Sequence, residues 1–189
     1  MTTHYENGAL KAKGSLDELG KQGEWKYYYE FGELNVVANY HNGQLSGKYE
    51  SYYPNKVLKS AENWLADVQV DSGWYYHENG VLKRKGVFVH GFYQGRWVSY
   101  FSSGLLKSDG YYEGGALNGS WRIYSEQGFL IQKGNYLNDK EEGYWEFYDG
   151  LGRLNYSGKY ENGREIGVWN EYSRRGKKKV YFDYSKPSE

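Results

Sequence analysis

Gly119-Ser120-Trp121-Arg122-Ile123-Tyr124-Ser125-Glu126-Gln127-Gly128-Phe129-Leu130-Ile131-Gln132-Lys133-Gly134-Asn135-Tyr136 is one copy of a pattern written along nearly the whole chain. Its tyrosine recurs at every twenty-fourth residue, as Tyr28, Tyr52, Tyr76, Tyr100, Tyr124, Tyr148 and Tyr172. A fixed period of this size marks a repeat array, in which each copy is one supersecondary unit that buries apolar surface against its neighbours.

Other positions keep the same register. Upstream of the tyrosine stand Gly23, Gly47, Gly95, Gly119, Gly143 and Gly167, with Asp71 the exception. Two residues later come Trp25, Trp97, Trp121, Trp145 and Trp169, with Tyr49 as a substitute and Trp74 displaced by one. Downstream lie Gly8, Gly32, Gly80, Gly104, Gly128, Gly152 and Gly176, broken by Lys56, and then Leu10, Leu34, Leu58, Leu82, Leu106, Leu130 and Leu154. A late aromatic closes the unit, as in Tyr40, Trp64, Phe88, Tyr112, Tyr136, Tyr160 and Tyr184.

Tripeptides such as Glu78-Asn79-Gly80 and Glu126-Gln127-Gly128 fit three-residue hairpin loops with glycine in the left-handed position. The flanks are rich in Tyr, Phe, Trp, Val and Ile, and no 3.6-residue period is sustained. Each unit therefore reads as one β-hairpin, and segments such as Asn42-Gly43-Gln44-Leu45-Ser46-Gly47 turn the chain into the next. The expected fold is all-β: an elongated, twisted, single-layer antiparallel sheet of about seven 24-residue hairpins. About 15 strands at ~4.8 Å spacing would make it roughly 70 Å long. Residues 1–22 read as a half repeat and cap, 23–176 as the repeats, and 177–189 as a cap strand and tail of one domain. The lysine run and Pro187 are expected to guard the final edge.

Pairing Tyr28 with Leu34 and, by extension, Trp25 with Val37 predicts two faces. The tyrosine, leucine, late aromatic and the small residues Gly14, Ala38, Gly86, Gly110, Gly134 and Gly158 would share one. The tryptophan would share the other with positions that change between units, where partner recognition is expected. Candidate partner-binding residues are Tyr27, Tyr29, Tyr53, Trp74, Tyr75, Phe101 and Phe147, followed by Trp64 and Leu65.

Composition narrows the function. Formal net charge is zero, with neither half of the chain basic, so no nucleic-acid partner is expected. Arg174, Arg175, Lys177, Lys178 and Lys179 form the one cationic run, a candidate contact for anionic lipid. The chain has no cysteine, which removes disulfides, thiolate metal sites and thiol nucleophiles. His4 and His77 fall three units apart and His41 and His90 two, roughly 29 and 19 Å, so neither pair shares a metal. Asp139, Glu141 and Glu142 lie in an inter-unit turn without a calcium loop's spaced oxygens. No catalytic constellation, metal site or cofactor is expected, and the opening MTTHYENG carries no leader pattern, which points to the cytoplasm.

The glycine, aromatic and Tyr-x-Asn-Gly pattern, as in Gly158-Lys159-Tyr160-Glu161-Asn162-Gly163 and Gly119-Ser120-Trp121-Arg122-Ile123-Tyr124, resembles the MORN repeat, and more closely its bacterial variant. The resemblance implies a non-enzymatic hairpin scaffold that binds proteins, and an immunity or antitoxin-like role in occluding a toxin or effector. Its alternatives are a membrane or assembly scaffold and, third, a carbohydrate-binding module or hydrolase. Two segments depart from the pattern. Ala61-Glu62-Asn63-Trp64-Leu65-Ala66-Asp67-Val68-Gln69-Val70-Asp71 loses both glycines and gains apolar residues, and Ser15-Leu16-Asp17-Glu18-Leu19-Gly20 is similarly apolar.

Overall fold

The computed structural model describes residues 1–186 and contains strands and turns throughout; Pro187 and the rest of the tail to residue 189 lie outside the described residues. Sixteen strands follow one another in chain order as neighbours in an antiparallel sheet. The backbone divides into two compact units that meet between Tyr93 and Gln94.

The first unit holds β1 (Thr2–His4), β2 (Leu10–Asp17), β3 (Gly20–Tyr28), β4 (Leu34–His41), β5 (Gln44–Tyr52), β6 (Leu58–Leu65), β7 (Val68–Tyr76), β8 (Leu82–Val89) and the start of β9 (Phe92–Tyr100). The second holds the remainder of β9, then β10 (Leu106–Glu113), β11 (Ala116–Tyr124), β12 (Leu130–Leu137), β13 (Lys140–Tyr148), β14 (Leu154–Glu161), β15 (Arg164–Tyr172) and β16 (Lys178–Asp183). The short β1 is the strand that the repeat count did not anticipate.

The hairpin loops close as their sequence requires. Tyr29 N–H donates to Glu33 O and Gly32 N–H to Tyr29 O, with Gly32 at φ 96°. Lys56 adopts the same left-handed backbone at φ 69° where the glycine is lost. After the first reversal at Glu18-Leu19, the chain turns between units through two-residue turns with both residues at positive φ, such as Asn42-Gly43 at 50° and 80°, which match the twist of the flanking strands.

The two-face expectation is corrected by a bulge. Tyr28 does pair with Leu34, but Tyr27 pairs with Val36, leaving Asn35 extra, so Trp25 stands opposite Ala38 and not Val37. One extra residue reverses the facing of everything beyond it on that strand. The small residues and the late aromatics therefore lie with the tryptophans, and the periodic tyrosines lie on the other side. The same shift separates Ser51 from Tyr52, Tyr75 from Tyr76, Ile123 from Tyr124 and Phe147 from Tyr148.

That correction explains the core. In the second unit the rings of Trp97, Tyr112, Trp121, Tyr136, Trp145, Tyr160 and Trp169 alternate edge-to-face, with centroids 5.0–6.5 Å apart. A Cβ added at Gly110, Gly134 or Gly158 would overlap the indole of Trp121, Trp145 or Trp169. The glycine makes room for a ring laid across the neighbouring strand, and the tryptophan is buried in a sheet one layer thick; Trp145 is 0% exposed. In the first unit Trp25 lies over Gly14 and meets Tyr40 edge-on. The third repeat inverts the pair: Gly73 takes the tryptophan's place, Glu62 takes the small residue's, and Phe88 covers Gly73.

Candidate binding surfaces

The first hairpin tips are tied to one another by a tyrosine at the position just after the periodic one. Tyr5, Tyr29 and Tyr53 donate their hydroxyls to the carbonyls of Tyr28, Tyr52 and Tyr76, each one repeat later, at 2.7–2.8 Å. From Ser125 onward the second unit uses short polar residues at this position, and they cap their own loops. Ser125 and Ser173 accept from Phe129 N–H and Lys177 N–H. Asp149 accepts from the backbone N–H of Arg153 and Leu151 and pairs with the Arg153 side chain; the Arg153 N–H foremost holds its carboxyl below the ordinary range.

At the opposite ends of the strands, side chains clasp the next unit's turn. Gln22, Gln94 and Glu142 accept from the backbone N–H groups of Asn42, Gly114 and Asn162. Asp67 and Asp139 accept from Leu45 and Leu117 N–H at 2.7 Å. Two members of the acidic cluster at 139–142 are thus engaged as turn clasps. Among the described residues no three His, Asp or Glu side chains gather to hold a metal.

The expected partner-binding residues do not form one patch. Tyr27 stacks on Trp25, shares a hydrogen bond with Tyr40 and accepts one from Lys21 Nζ at 2.7 Å. Tyr75 accepts from Gln69, which also donates to Glu62, and Glu62 accepts from Trp64 Nε1. Phe147 is flanked by Trp145 and Trp169, and Lys107 lies over Phe101. All are half-buried. Trp74 is not a displaced core tryptophan: paired with Ala61, it points to the periodic-tyrosine face, 38% exposed, beneath the ammonium of Lys85.

Leu65 is the most exposed of them, at 62%, and it pairs across the turn with Val68. The turn between them, Ala66-Asp67, has φ of 48° and 64°, the left-handed backbone that Asn-Gly supplies elsewhere. An alanine there costs about 1–2 kcal/mol. The next turn lies against it: Gly91 N–H donates to Gln69 O, and the Val68 methyl sits 3.6 Å from the place of a Gly91 Cβ. Val89 and Phe92, at the repeat positions of Leu65 and Val68, are also exposed. These two escaped the sequence reading, although the 24-residue ruler points from Leu65 and Val68 to them.

A second surface lies on the tryptophan face of the last hairpins. Phe147, Tyr156, Tyr160, Trp169 and Tyr181 wall an open cleft of about 440 Å³ with Glu165 at its side. Tyr160 and Tyr184 donate to the Glu165 carboxylate, and Tyr181 meets Tyr156 edge-on at 5.2 Å. Burial first, then Glu165 and Glu141, push the Tyr160 phenol up to about 12. The Trp169 indole N–H is buried without a hydrogen-bond partner among the described residues, whereas those of Trp25 and Trp145 donate to Ser15 O and Asn135 O.

Of the basic run, Lys179 pairs with Glu171 at 2.8 Å, while Arg174, Arg175 and Lys177 stand exposed at the hairpin tip before β16. On that strand Val180 and Phe182 are 63% and 51% exposed.

The family model described as "MORN repeat variant" matches residues 21–42, 45–65 and 75–90. That match supports a MORN repeat protein. The three segments lie in the first unit, and the MORN-like register of glycines, aromatics and hairpins continues beyond them. No curated protein matches the chain. Among solved structures, a chain of "Crystal Structure of TcdB2-TccC3-Cdc42" matches at 13% identity with a TM-score of 0.22, over 91% of this chain and 14% of that one. The present chain thus spans about a seventh of that relative, and the likeness is too slight to carry anything further.

Proposed function

We propose that the chain is a non-enzymatic, cytoplasmic scaffold that binds another protein, and that it serves as an immunity or antitoxin-like factor by occluding a toxin or effector. The observation that carries the reading is the corner formed by Leu65, Val68, Val89 and Phe92. Four apolar side chains stand exposed at two successive turns, one of which bears a strained Ala66. Exposed apolar clusters and retained backbone strain are both features of binding sites. The MORN repeat supports the scaffold part, and the family resemblance supports the occluding role.

The test is co-purification with the product of the neighbouring gene. The double substitution Leu65→Asp and Phe92→Asp is expected to weaken capture at least tenfold with an unchanged far-UV spectrum, because a few buried anchors dominate an interface. Unchanged capture would place the interface elsewhere. A partner whose activity is unaffected by the bound chain would end the immunity reading while leaving the scaffold intact.

A second reading is favoured by the exposed Val180 on the strand that follows the basic hairpin tip, a pairing of apolar and cationic groups suited to an anionic lipid surface. Salt-sensitive sedimentation with anionic liposomes, lost on replacing Lys177, Lys178 and Lys179 by glutamine, would support it. Equal sedimentation of the variant would reject it.

A further inference from the structure

The first hairpin shows what the tryptophan face can hold. Lys21 extends its ammonium over three rings, 4.9 Å from the centroid of Trp25, 5.2 Å from Tyr27 and 4.8 Å from Tyr40. These distances fall inside the ~6 Å range in which a ring's negative face attracts a cation. Farther along the same unit, the Arg84 guanidinium lies 4.3 Å from the Tyr75 centroid and 5.7 Å from that of Tyr93. Twice, then, the chain places one of its own cations on the aromatic wall.

At the repeat position of Lys21, the last hairpin carries Glu165. Of the three rings around Lys21, Trp25 and Tyr40 have their counterparts in Trp169 and Tyr184, while Glu171 takes the place of Tyr27. Tyr160 meets Trp169 edge-to-face at 5.1 Å, and Phe147, Tyr156 and Tyr181 complete the wall of the cleft. The position that supplies the internal cation in the first hairpin thus supplies an anion in the last. Hydrogen bonds from Tyr160 and Tyr184 orient its carboxylate. The nearby Lys179 is paired with Glu171.

We infer that the cleft of Phe147, Tyr156, Tyr160, Glu165, Trp169 and Tyr181 binds an alkylammonium group supplied from outside the chain. The rings provide the cation's apolar and electrostatic contacts, and the Glu165 carboxylate balances its charge. A small quaternary amine and the methylated lysine of a peptide present this same chemistry. The site shares no residue with the Leu65 corner, so it stands or falls separately from that surface.

The full chain is titrated with choline and with its uncharged isostere 3,3-dimethyl-1-butanol, following the indole N–H resonance of Trp169, assigned by its loss in Trp169→Phe. Saturable shifts with choline, at least tenfold weaker for the isostere, are expected. Equal response to the two, or no response to choline or to Nα-acetyl trimethyllysine amide, overturns the proposal. Tighter binding of blocked trimethyllysine than of choline assigns a peptide source, and the reverse order a small amine. Tyr181→Ala, which truncates a side chain 58% exposed, should weaken binding at least fivefold in a folded protein, and an unchanged affinity rejects the cleft. Glu165→Lys should set an ammonium beside the Trp169 ring, as Lys21 does at Trp25, fill the cleft with the chain's own cation and abolish choline binding; retained binding by the folded variant would contradict the proposed seat.

Discussion

Gly134 and Trp145 define the residue-scale rule of this chain. A single-layer sheet has no second layer to cover its large side chains, so burial is achieved by laying an indole across a glycine on the adjacent strand. Gly134→Ala would force the buried Trp145 ring or the backbone to move, and overpacking of this kind costs about 1–3 kcal/mol. Denaturant unfolding should show that loss, whereas Gly150→Ala, where an added Cβ meets nothing within 4 Å, should be near neutral. Equal effects would mean that backbone entropy, and not the ring contact, sets the requirement for glycine. Both residue types were legible from the 24-residue register, but their contact was not. The register gave no sign that Asn35 bulges out and brings Trp25 over to Ala38's side.

At the scale of the element, each hairpin is closed by its own loop and then fastened to the next. The hydroxyls of Tyr29 and Tyr53 make that second connection, which gives these two candidate partner anchors a structural task. Tyr29→Phe and Tyr53→Phe should each lower stability by about 0.5–1.5 kcal/mol, the usual net worth of one such bond. Thermal melts compared with partner capture separate the roles: unchanged melting with weakened capture would make them anchors alone. The loops were readable because left-handed backbone leaves its mark as glycine. The fastening was hidden because it depends on where a hydroxyl ends in space, and because Ser125, Asp149 and Ser173 at the same position bond within their own loops.

Across the whole molecule, a chain with 23 tyrosines, many of them half-buried, should be sensitive to alkali. Burial, the largest cause in each case, pushes Tyr40, Tyr52, Tyr75 and Tyr160 up to about 12, assisted by Tyr27 at Tyr40 and by the carboxylates of Glu50, Glu62 and Glu165 at the others. Unfolded tyrosine titrates near 10. Below that value the stabilisation of the protonated phenol is fully present; between about 10 and 12 the unfolded state releases protons first, and stability falls until the folded phenols ionise too. The phenolate absorbance of these four residues and the circular dichroism should therefore change together in this window. Ionisation of these four phenols near pH 10 with the fold intact, read as the phenolate absorbance lost in their Tyr→Phe variants, would contradict their burial.

The all-β class, the hairpin unit, its loops and the period were determined by the sequence alone, since turn chemistry and strand alternation are local and the repeat copies them in register. The candidate surfaces were only partly so: Leu65 and the basic run could be named because they interrupt or crowd the pattern, whereas Tyr156, Glu165 and Tyr181 obey no visible rule. Tertiary structure decided which face each side chain takes, because one bulged residue reverses the alternation without disturbing the register. It also decided that Lys21 is enclosed by rings while Glu165 borders an open cleft, since charge and rings stand on separate neighbouring strands and meet only when those strands pair.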